Sequence, residues 1–509
     1  MGQIKVTGLS FRYDGSFENL FENVSFTVDT DWRLGFIGRN GKGKTTFLKL
    51  LLGLYPYSGT ISANTGFSYF PLTFGEDELD LTGWELLAAR FPDREPWRVI
   101  RELACLGEGE ELLQKKLGLN SLGQRAKFEL AVLFSKENEF LLIDEPTNHL
   151  DAAAREKVKD YLASRSGFIL VSHDRDFLDS CVDHILSLNK KNIDVQKGNY
   201  SVWWENKQRR DAFAEAENEK HEKQIRSLRD SARRMADWAD KSESAKIGVS
   251  RSENRDRPAN ARTYIGSKTK KMQKRAAAAE NRIEREIEQK EALLDDVEFV
   301  MDLKLSPLEY RKEVLFECAD YTFRYAGAEQ PALRHLSFDL RRGDRVLLSG
   351  ANGCGKSTLL KRILLGTGAA PSEPFAFEES GVFRVGSGLT VSYVSQDTSS
   401  LRGSVPDFCA AAGIDRSRFC TILYQMGLRR AQFEKDLSEF SDGQKKKALT
   451  AASLCASAHL YIWDEPLNFI DIFSREQIEN LILKYRPTMI FAEHDKRFED
   501  RIATKIVEM

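Results

Sequence analysis

The chain carries the same ordered set of five short motifs twice, about 320 residues apart. The first half reads GLSFRYDG, GRNGKGKTT, NSLGQ, FLLIDEPTNHLD and ILVSHDRDF, and the second reads DYTFRYAG, GANGCGKST, FSDGQ, LYIWDEPLNFID and IFAEHDKRF. The signature serine precedes the aspartate of DEP by 23 residues in both halves. Such a repeat indicates a duplicated domain. We predict a first domain at 1–198, a second domain at 312–509 and a linker at 199–311.

Both copies contain the pattern G-x4-G-K-[ST] between an apolar strand (RLGFI, RVLLS) and an apolar helix. Glycines let the backbone curl so that successive N–H groups point at a phosphate. Lys44 and Lys356 supply charge for the β- and γ-phosphate oxygens, and Thr45 and Ser357 supply a hydroxyl for Mg²⁺. The phosphate-binding candidates are Gly38, Asn40, Gly41, Gly43, Lys44, Thr45, Thr46, Gly350, Asn352, Gly353, Gly355, Lys356, Ser357 and Thr358.

A second pair of apolar strands, FLLID and LYIWD, ends in carboxylates. Asp144 and Asp464 are predicted to hold Mg²⁺ through water. The next residues, Glu145 and Glu465, are placed to polarise the attacking water. One carboxylate alone could be a solvated strand end, but its repetition before Pro-x-Asn favours catalysis.

A histidine ends a further apolar strand in each copy. His173 and His494 can contact a γ-phosphate there, and we include both with the catalytic candidates. A single histidine would more often be structural, but its recurrence at matching spacing favours a role in the site.

These motifs together resemble the ATP-binding cassette (ABC) ATPases, whose domains are α/β. The resemblance implies ATP and Mg²⁺ as cofactors and ATP hydrolysis as the activity. It also implies that the two domains pair head to tail, so that the P-loop of one faces the Ser-x-Gly-Gln signature of the other. The signature candidates are Ser121, Gly123, Gln124, Ser441, Gly443 and Gln444.

Tyr13 and Tyr325 match the aromatic residue that stacks on adenine in that family, with Phe11 and Phe323 as alternatives. Core packing of these rings is a further alternative that the residues leave open.

The sequence departs from the family pattern at several positions. Leu122 and Asp442 replace a signature glycine, and Leu72 stands where the second domain has Gln396. Leucine cannot ligate a metal, so the two sites differ. The predicted Mg²⁺ ligands are Thr45, Asp144, Ser357, Gln396 and Asp464, and we expect slow, asymmetric hydrolysis.

No stretch approaches the ~18 apolar residues that cross a bilayer, and the N-terminus lacks a signal-peptide pattern. Seven cysteines without a CxxC pair are interpreted as free thiols in a reducing cytosol. We therefore predict a cytoplasmic location.

The linker concentrates positive charge. We predict helices at 199–245 and 267–300, joined by a loop at 247–266 that is rich in Gly, Pro, Ser and Asn. The two should form an antiparallel hairpin. Residues 239–275 hold eleven lysines and arginines against four acidic residues, although the whole chain has a net charge of −2. A basic tip on a long arm favours a polyanionic partner.

Two such domains with a helical hairpin between them and no membrane segment resemble the ABC-F branch. That resemblance implies binding to the E site of the bacterial 70S ribosome in the ATP-bound state, with the hairpin near the P-site tRNA and 23S rRNA. It also implies a monomer whose two domains pair within the chain. The candidate RNA contacts are Lys246, Arg251, Arg255, Arg257, Arg262, Tyr264, Lys268, Lys270 and Lys271.

Within ABC-F, the absence of room for an added arm in the first domain favours the antibiotic-resistance branch, which protects against lincosamides, streptogramin A and pleuromutilins. A housekeeping translation factor and a cytosolic ATPase subunit of a transporter remain alternatives. A DNA-bound ABC ATPase is disfavoured, because only 83 and 91 residues separate P-loop and signature.

Overall fold

The computed structural model describes most of the two domains and the first part of the linker. The described residues are 2–15, 19–147, 150, 152–189, 192–247, 304–351, 353–368, 376–399, 401–428, 430–468, 470–493 and 495–509. Contacts divide the chain into two compact units. One comprises Met1–Trp203 and Val300–Met509 and thus both repeated domains, and the other is Trp204–Phe299.

The described residues of the first domain form nine strands in two sheets. Strands β2, β1 and β4 form an antiparallel sheet, and the other six are ordered β5-β6-β7-β3-β8-β9. The second sheet is parallel except for its last strand, β9. The strands are β1 (Gln3–Phe11), β2 (Phe21–Asp29), β3 (Arg33–Ile37), β4 (Ser58–Ala63), β5 (Gly66–Phe70), β6 (Glu139–Asp144), β7 (Phe168–Val171), β8 (His184–Leu188) and β9 (Ile193–Lys197).

The described residues of the second domain repeat this topology without a counterpart of β9. Its antiparallel sheet is ordered β11-β10-β13, and its parallel sheet is ordered β14-β15-β16-β12-β17. The predicted α/β fold with two tandem P-loop domains is therefore confirmed. The strands are β10 (Val314–Tyr325), β11 (Leu333–Arg341), β12 (Arg345–Ser349), β13 (Phe377–Val385), β14 (Val391–Val394), β15 (Leu460–Asp464), β16 (Met489–Ala492) and β17 (Lys505–Glu508).

Helices connect the strands and lie against the parallel sheets. In the first domain they are α1 (Lys44–Leu51), α2 (Glu76–Leu79), α3 (Gly83–Arg90), α4 (Pro96–Cys105), α5 (Glu111–Gln114), α6 (Leu122–Phe134), α7 (Ala152–Ala163) and α8 (Arg175–Cys181). The long linker helix is α9 (Tyr200–Ile247). In the second domain they are α10 (Lys356–Gly366), α11 (Val405–Ala412), α12 (Arg416–Gln425), α13 (Asp442–Cys455), α14 (Ile472–Tyr485) and α15 (Lys496–Ile502). Short 3-10 turns occupy Leu117–Leu119, Arg430–Glu434 and Leu437–Glu439.

The parallel strands are continuous apolar runs because helices cover both faces of such a sheet. Strands FILV of β7 and MIFA of β16 are buried at every position. Each domain builds a contiguous core around its sheet, with Phe36, Phe47 and Leu142 in the first domain and Leu347, Trp463 and Phe491 in the second. These rigid cores fix the ends of the strands. The candidate site residues lie at those ends or directly after them.

The P-loop glycines are required by the backbone where each loop enters its helix. Gly43 and Gly355 both have φ of 102°, a region that side chains rarely adopt. A Cβ at Gly43 would lie 2.7 Å from a methyl carbon of Leu20, and one at Gly355 would lie 2.5 Å from the carbonyl oxygen of Ala332. The two loops therefore share one conformation that only glycine fits.

The first helix of the predicted hairpin is observed as α9, close to its predicted bounds. Its start is anchored in the domains, where Tyr200 and Trp203 are buried. Ion pairs one turn apart, such as Lys223–Glu219, stabilise the exposed part. The predicted loop and second helix lie outside the described residues, apart from Ile247, so the hairpin stays a prediction.

No helix among the described residues is long and apolar enough to cross a membrane. All seven cysteines are free thiols.

Candidate nucleotide sites

A cavity of about 1750 Å³ lies between the two domains and is lined by both. The P-loop of the first domain and the signature at 441–444 of the second open into it, as does the P-loop of the second domain. Leu122 is the signature residue of the first domain that lines it. The structure thus brings both P-loops and the signature of the second domain into one space, whereas the first-domain candidates Ser121, Gly123 and Gln124 do not line it.

Both P-loop lysines fold back on their own loops. The ammonium of Lys44 donates to the carbonyl oxygen of Gly38 at 2.6 Å, and that of Lys356 donates to Gly350 at 2.7 Å. Burial lowers the pKa of Lys44, while Asp471 of the second domain, Glu145 and Asp144 act to raise it. A phosphate would replace these carbonyl contacts with stronger, charge-assisted ones. Asn352 of the second loop lies outside the described residues.

The predicted magnesium ligands lie together in each domain. The hydroxyl of Thr45 donates to Asp144 Oδ2 at 2.7 Å, and the hydroxyl of Tyr69 donates to the same oxygen at 3.1 Å. In the second domain, Ser357 hydrogen-bonds to Asp464, whose buried Oδ2 has no hydrogen-bond partner among the described residues. A hydroxyl beside a carboxylate oxygen that lacks a partner fits Mg²⁺, which prefers such oxygen ligands.

The two candidate catalytic glutamates share an unusual backbone conformation. Glu145 has φ of 52° and Glu465 has φ of 49°, in the left-handed region that costs a non-glycine residue about 1–2 kcal/mol. Each is held there because its N–H donates across the sheet, to the carbonyl of Val171 at 2.8 Å or of Ala492 at 2.9 Å. Repeated strain of this kind is typical of functional positions.

The side chains of these glutamates have different neighbours. Burial raises the pKa of Glu145 to about 8, helped by Asp144 and opposed by Lys44 and by Arg475 of the second domain. His173 Nε2 lies 3.4 Å from Glu145 Oε1. Burial also lowers the pKa of His173 well below its usual value, with a smaller effect from Lys44, so this imidazole is neutral.

Glu465 instead accepts two amide hydrogen bonds. Gln396 Nε2 donates to its Oε2 at 3.1 Å, and Asn468 Nδ2 donates at 2.8 Å. In the first domain Leu72 cannot make such a contact, and its N–H donates to Glu129 Oε2 at 2.8 Å. The two sites thus differ in the residue beside the candidate catalytic carboxylate. His494 lies outside the described residues.

The signature residues begin helices α6 and α13. Ser121 and Ser441 are the N-caps, and each hydroxyl accepts from the N–H of the glutamine three residues later. The side chains of Gln124 and Gln444 bond back to the serine N–H groups. This capping box fixes the helix start and points its N–H groups outward, as in anion-binding helix termini. A Cβ at Gly123 would lie 3.4 Å from Leu150 and 4.0 Å from Ser121 Oγ, both ordinary contacts, and Gly443 lines the cavity.

The tyrosines proposed for adenine line the cavity, and the alternative phenylalanines do not. Tyr13 is 43% exposed, and its hydroxyl lies 2.7 Å from that of Thr46. The hydroxyl of Tyr325 lies 2.9 Å from that of Thr358. Phe11 and Phe323 are buried in the cores.

Contacts across the two domains were missed by the sequence reasoning. Arg175 is 2% exposed and donates to Glu476 at 3.2 Å, to Asp495 at 3.2 Å and to Glu479, all in the second domain. The matching residue of the second domain is Lys496, and this difference alone does not reveal the contact.

Comparison with known proteins agrees with the geometry. The ABC transporter family model matches residues 21–148 and 333–468, just over half of the chain. A second model, also described as ABC transporter, matches residues 186–259.

Relatives match along almost the whole chain. "Ribosome protection protein VmlR" of Bacillus subtilis (strain 168) is 26% identical over 510 residues, which are 97% of this chain and 85% of that protein. "ATP-binding protein Uup" of Caulobacter vibrioides is 27% identical over 503 residues, covering 96% of this chain and 74% of that protein.

Solved structures share the fold. The complex of the archaeal ribosomal stalk protein aP1 and the archaeal ribosome recycling factor aABCE1 aligns with a TM-score of 0.60 at 18% identity, over 98% of this chain and 87% of that chain. "RNase-L Inhibitor" aligns with a TM-score of 0.60 at 17% identity, over 99% and 87%. The family match, the relatives and the geometry lead to one conclusion: the chain belongs to the ABC family, as an ABC-F-type ATPase with two ATP-binding domains in one polypeptide.

Proposed function

We propose that this ATPase acts in the cytoplasm as a ribosomal protection factor. In its ATP-bound state it binds the E site of the bacterial 70S ribosome as a monomer with its two domains paired. Its linker tip lies near the P-site tRNA and the 23S rRNA of the peptidyl-transferase centre. There it displaces lincosamides, streptogramin A or pleuromutilins, and ATP hydrolysis then releases the protein.

The observation that carries this proposal is the similarity to VmlR, named a ribosome protection protein, along 97% of this chain. Two features support it. The cavity between the domains is lined by parts of both, so its shape depends on how the domains pair. The linker begins as a 48-residue helix whose predicted continuation is strongly basic.

The contact surface is proposed to be the linker tip. Lys246 lies near the end of α9, and the other eight RNA-contact candidates (Arg251, Arg255, Arg257, Arg262, Tyr264, Lys268, Lys270 and Lys271) lie outside the described residues. Lysine and arginine on phosphate release counterions, which makes binding salt-dependent. Arginine and Tyr264 can in addition stack on unpaired bases.

The first test is co-sedimentation with 70S ribosomes. The Glu145→Gln/Glu465→Gln variant should trap ATP between the domains. Its retention on ribosomes is measured once in the presence of ATP and once in the presence of ADP. Retention with ATP alone is the expected result. No retention with either nucleotide would remove the ribosome from the proposal and leave a transporter ATPase subunit as the leading alternative.

A second test isolates the tip. Reversing four tip charges to glutamate should abolish retention and reduce its salt dependence, whereas four reversals on the exposed domain surface should not. The tip set is Arg251, Arg255, Arg257 and Lys268, and the matched control set is Lys5, Lys157, Lys312 and Lys435.

A housekeeping translation factor is the alternative within the same class. Between Leu72 and Asn120 the structure holds only four short helices of 4, 8, 10 and 4 residues, and no long helical arm is inserted there. This favours the protection branch. Growth on lincosamide or pleuromutilin with the gene expressed decides between them: growth supports protection, and ribosome binding without growth supports the housekeeping role.

A further inference from the structure

A buried lysine links the two strand ends that carry the candidate catalytic residues of the second domain. Lys446 lies in α13 and is 3% exposed. Its ammonium donates to the carbonyl oxygen of Ser395 at 2.8 Å and to that of Asp464 at 2.8 Å. Donors at this distance to two backbone carbonyls hold both segments at a fixed separation.

Each of those carbonyls belongs to the residue just before a site residue. Ser395 precedes Gln396, and Asp464 precedes Glu465. The segments follow β14 and β15, which are neighbouring parallel strands. The side chains of Gln396 and Glu465 then meet at 3.1 Å, beyond the lysine. One side chain thus fixes the backbone on both sides of a contact in the candidate site.

The charge of Lys446 lies among carboxylates. Burial lowers its pKa, and Asp464, Glu493 and Glu465 act in the opposite direction. Glu493 is itself 4% exposed and lines the cavity. A buried charge is costly unless carbonyls and opposite charges compensate for it. The presence of a buried lysine at this position is therefore not explained by packing alone.

The first domain has neither the lysine nor the glutamate. Ala126 occupies the position of Lys446, and Ser172 occupies that of Glu493. The same fold therefore forms without the lysine, so the fold itself does not require it. The domain that lacks the lysine is also the one in which Leu72 replaces the glutamine.

We propose that Lys446 is a positioning residue for ATP hydrolysis at the second site, holding Gln396 and Glu465 in register through the carbonyls that precede them. The proposal rests on the catalytic role assigned to Glu465 and the magnesium role assigned to Gln396. On this proposal ATP hydrolysis is faster at the second site, because Lys446 holds the backbone there and no lysine does so in the first domain.

The test uses the full chain with the first site silenced by Glu145→Gln. In that background, Lys446→Met keeps the length of the side chain and removes both donors. We expect kcat to fall about tenfold, equal to about 1.4 kcal/mol in the barrier, while the Kd for ATP changes less than twofold. Lys446→Arg, which retains two donors, should recover most of the rate. Lys435→Ala, an exposed lysine on the same domain, is the control and should leave kcat unchanged.

A further variant separates positioning from stability. Lys446→Ala/Glu493→Ser copies the pair of the first domain, so its Tm should return close to that of the parent while kcat stays low. Recovery of both Tm and kcat would overturn the proposal, because the lysine would then serve only to pair Glu493. An unchanged kcat in Lys446→Met would overturn it as well.

A control tests the catalytic role assigned to Glu465, on which the proposal rests. Glu145→Gln/Glu465→Gln should abolish the remaining turnover. If turnover persists, Glu465 is not the catalytic carboxylate, and the assignment fails before Lys446 is considered.

Discussion

Arg175 of the first domain is paired with the fully buried carboxylate of Glu479 in the second. The same guanidinium reaches Asp495, and burial of the pair is almost complete. The neighbouring carboxylates raise the pKa of Arg175 against the effect of burial, so it is charged at every physiological pH. This arginine of the first domain therefore pairs with carboxylates of the second domain.

Removing that charge should weaken the pairing of the domains. Arg175→Met removes one cation from the buried carboxylates of Glu479 and Asp495, which keep Arg501 and Arg475 as partners. The cost should therefore lie below the value of about 3–5 kcal/mol for a buried pair that is broken completely. We expect a lower Tm. Lys496→Met, at the matching exposed position of the second domain, should shift Tm by less than a degree or so. Equal shifts in the two variants would show that the contact carries little energy.

The stability of the first domain should depend on pH through Glu129. Burial raises its pKa from 4.5 to about 7. The folded protein then holds a proton that the unfolded chain releases, so the unfolding free energy falls as pH rises from about 4.5 to 7, by roughly 3 kcal/mol in total.

Glu129→Gln tests this directly, since the amide oxygen can still accept from the N–H of Leu72. The difference in Tm between variant and parent should grow in favour of the variant from pH 5 to pH 7.5. A difference independent of pH would mean that Glu129 is ionised in the folded protein.

The two glutamates should contribute unequally to turnover. Glu465→Gln is expected to remove most of the steady-state ATPase rate, about tenfold or more, because its site keeps Gln396. Glu145→Gln should reduce the rate by much less than twofold, because the first site then supplies about a tenth of it or less. Initial rates of phosphate release at saturating ATP measure both, and equal losses would contradict an asymmetric enzyme.

Exchanging Gln396 and Leu72, the residues beside the two candidate carboxylates, should reduce the difference in hydrolysis rate between the sites. In the Glu145→Gln background, Gln396→Leu should slow single-turnover hydrolysis, because Glu465 loses an amide partner and the site loses a candidate metal ligand. In the Glu465→Gln background, Leu72→Gln should not slow it. A higher Mg²⁺ requirement in Gln396→Leu alone would identify the glutamine as a metal-side residue.

Much of the fold could be predicted because its signals are local and repeated. The P-loops, the strands that end in Asp144 and Asp464, and the first linker helix follow from residue patterns a few positions long. The pairing of Arg175 with Glu479 could not be predicted, because its partners are about 300 residues apart and no local pattern specifies them. Lys446 was missed for a similar reason, since its partners are backbone carbonyls, which a sequence does not distinguish.

Because Glu145 and Glu465 have a left-handed backbone, a substitution that stabilises the protein at these positions is expected to lower its activity. Replacement of either residue by glycine would relieve strain of about 1–2 kcal/mol and remove the carboxylate in one step. A screen for heat resistance alone would therefore enrich inactive sequences at these two codons. Engineering a more robust form of this protein means holding both positions constant and seeking the added stability elsewhere.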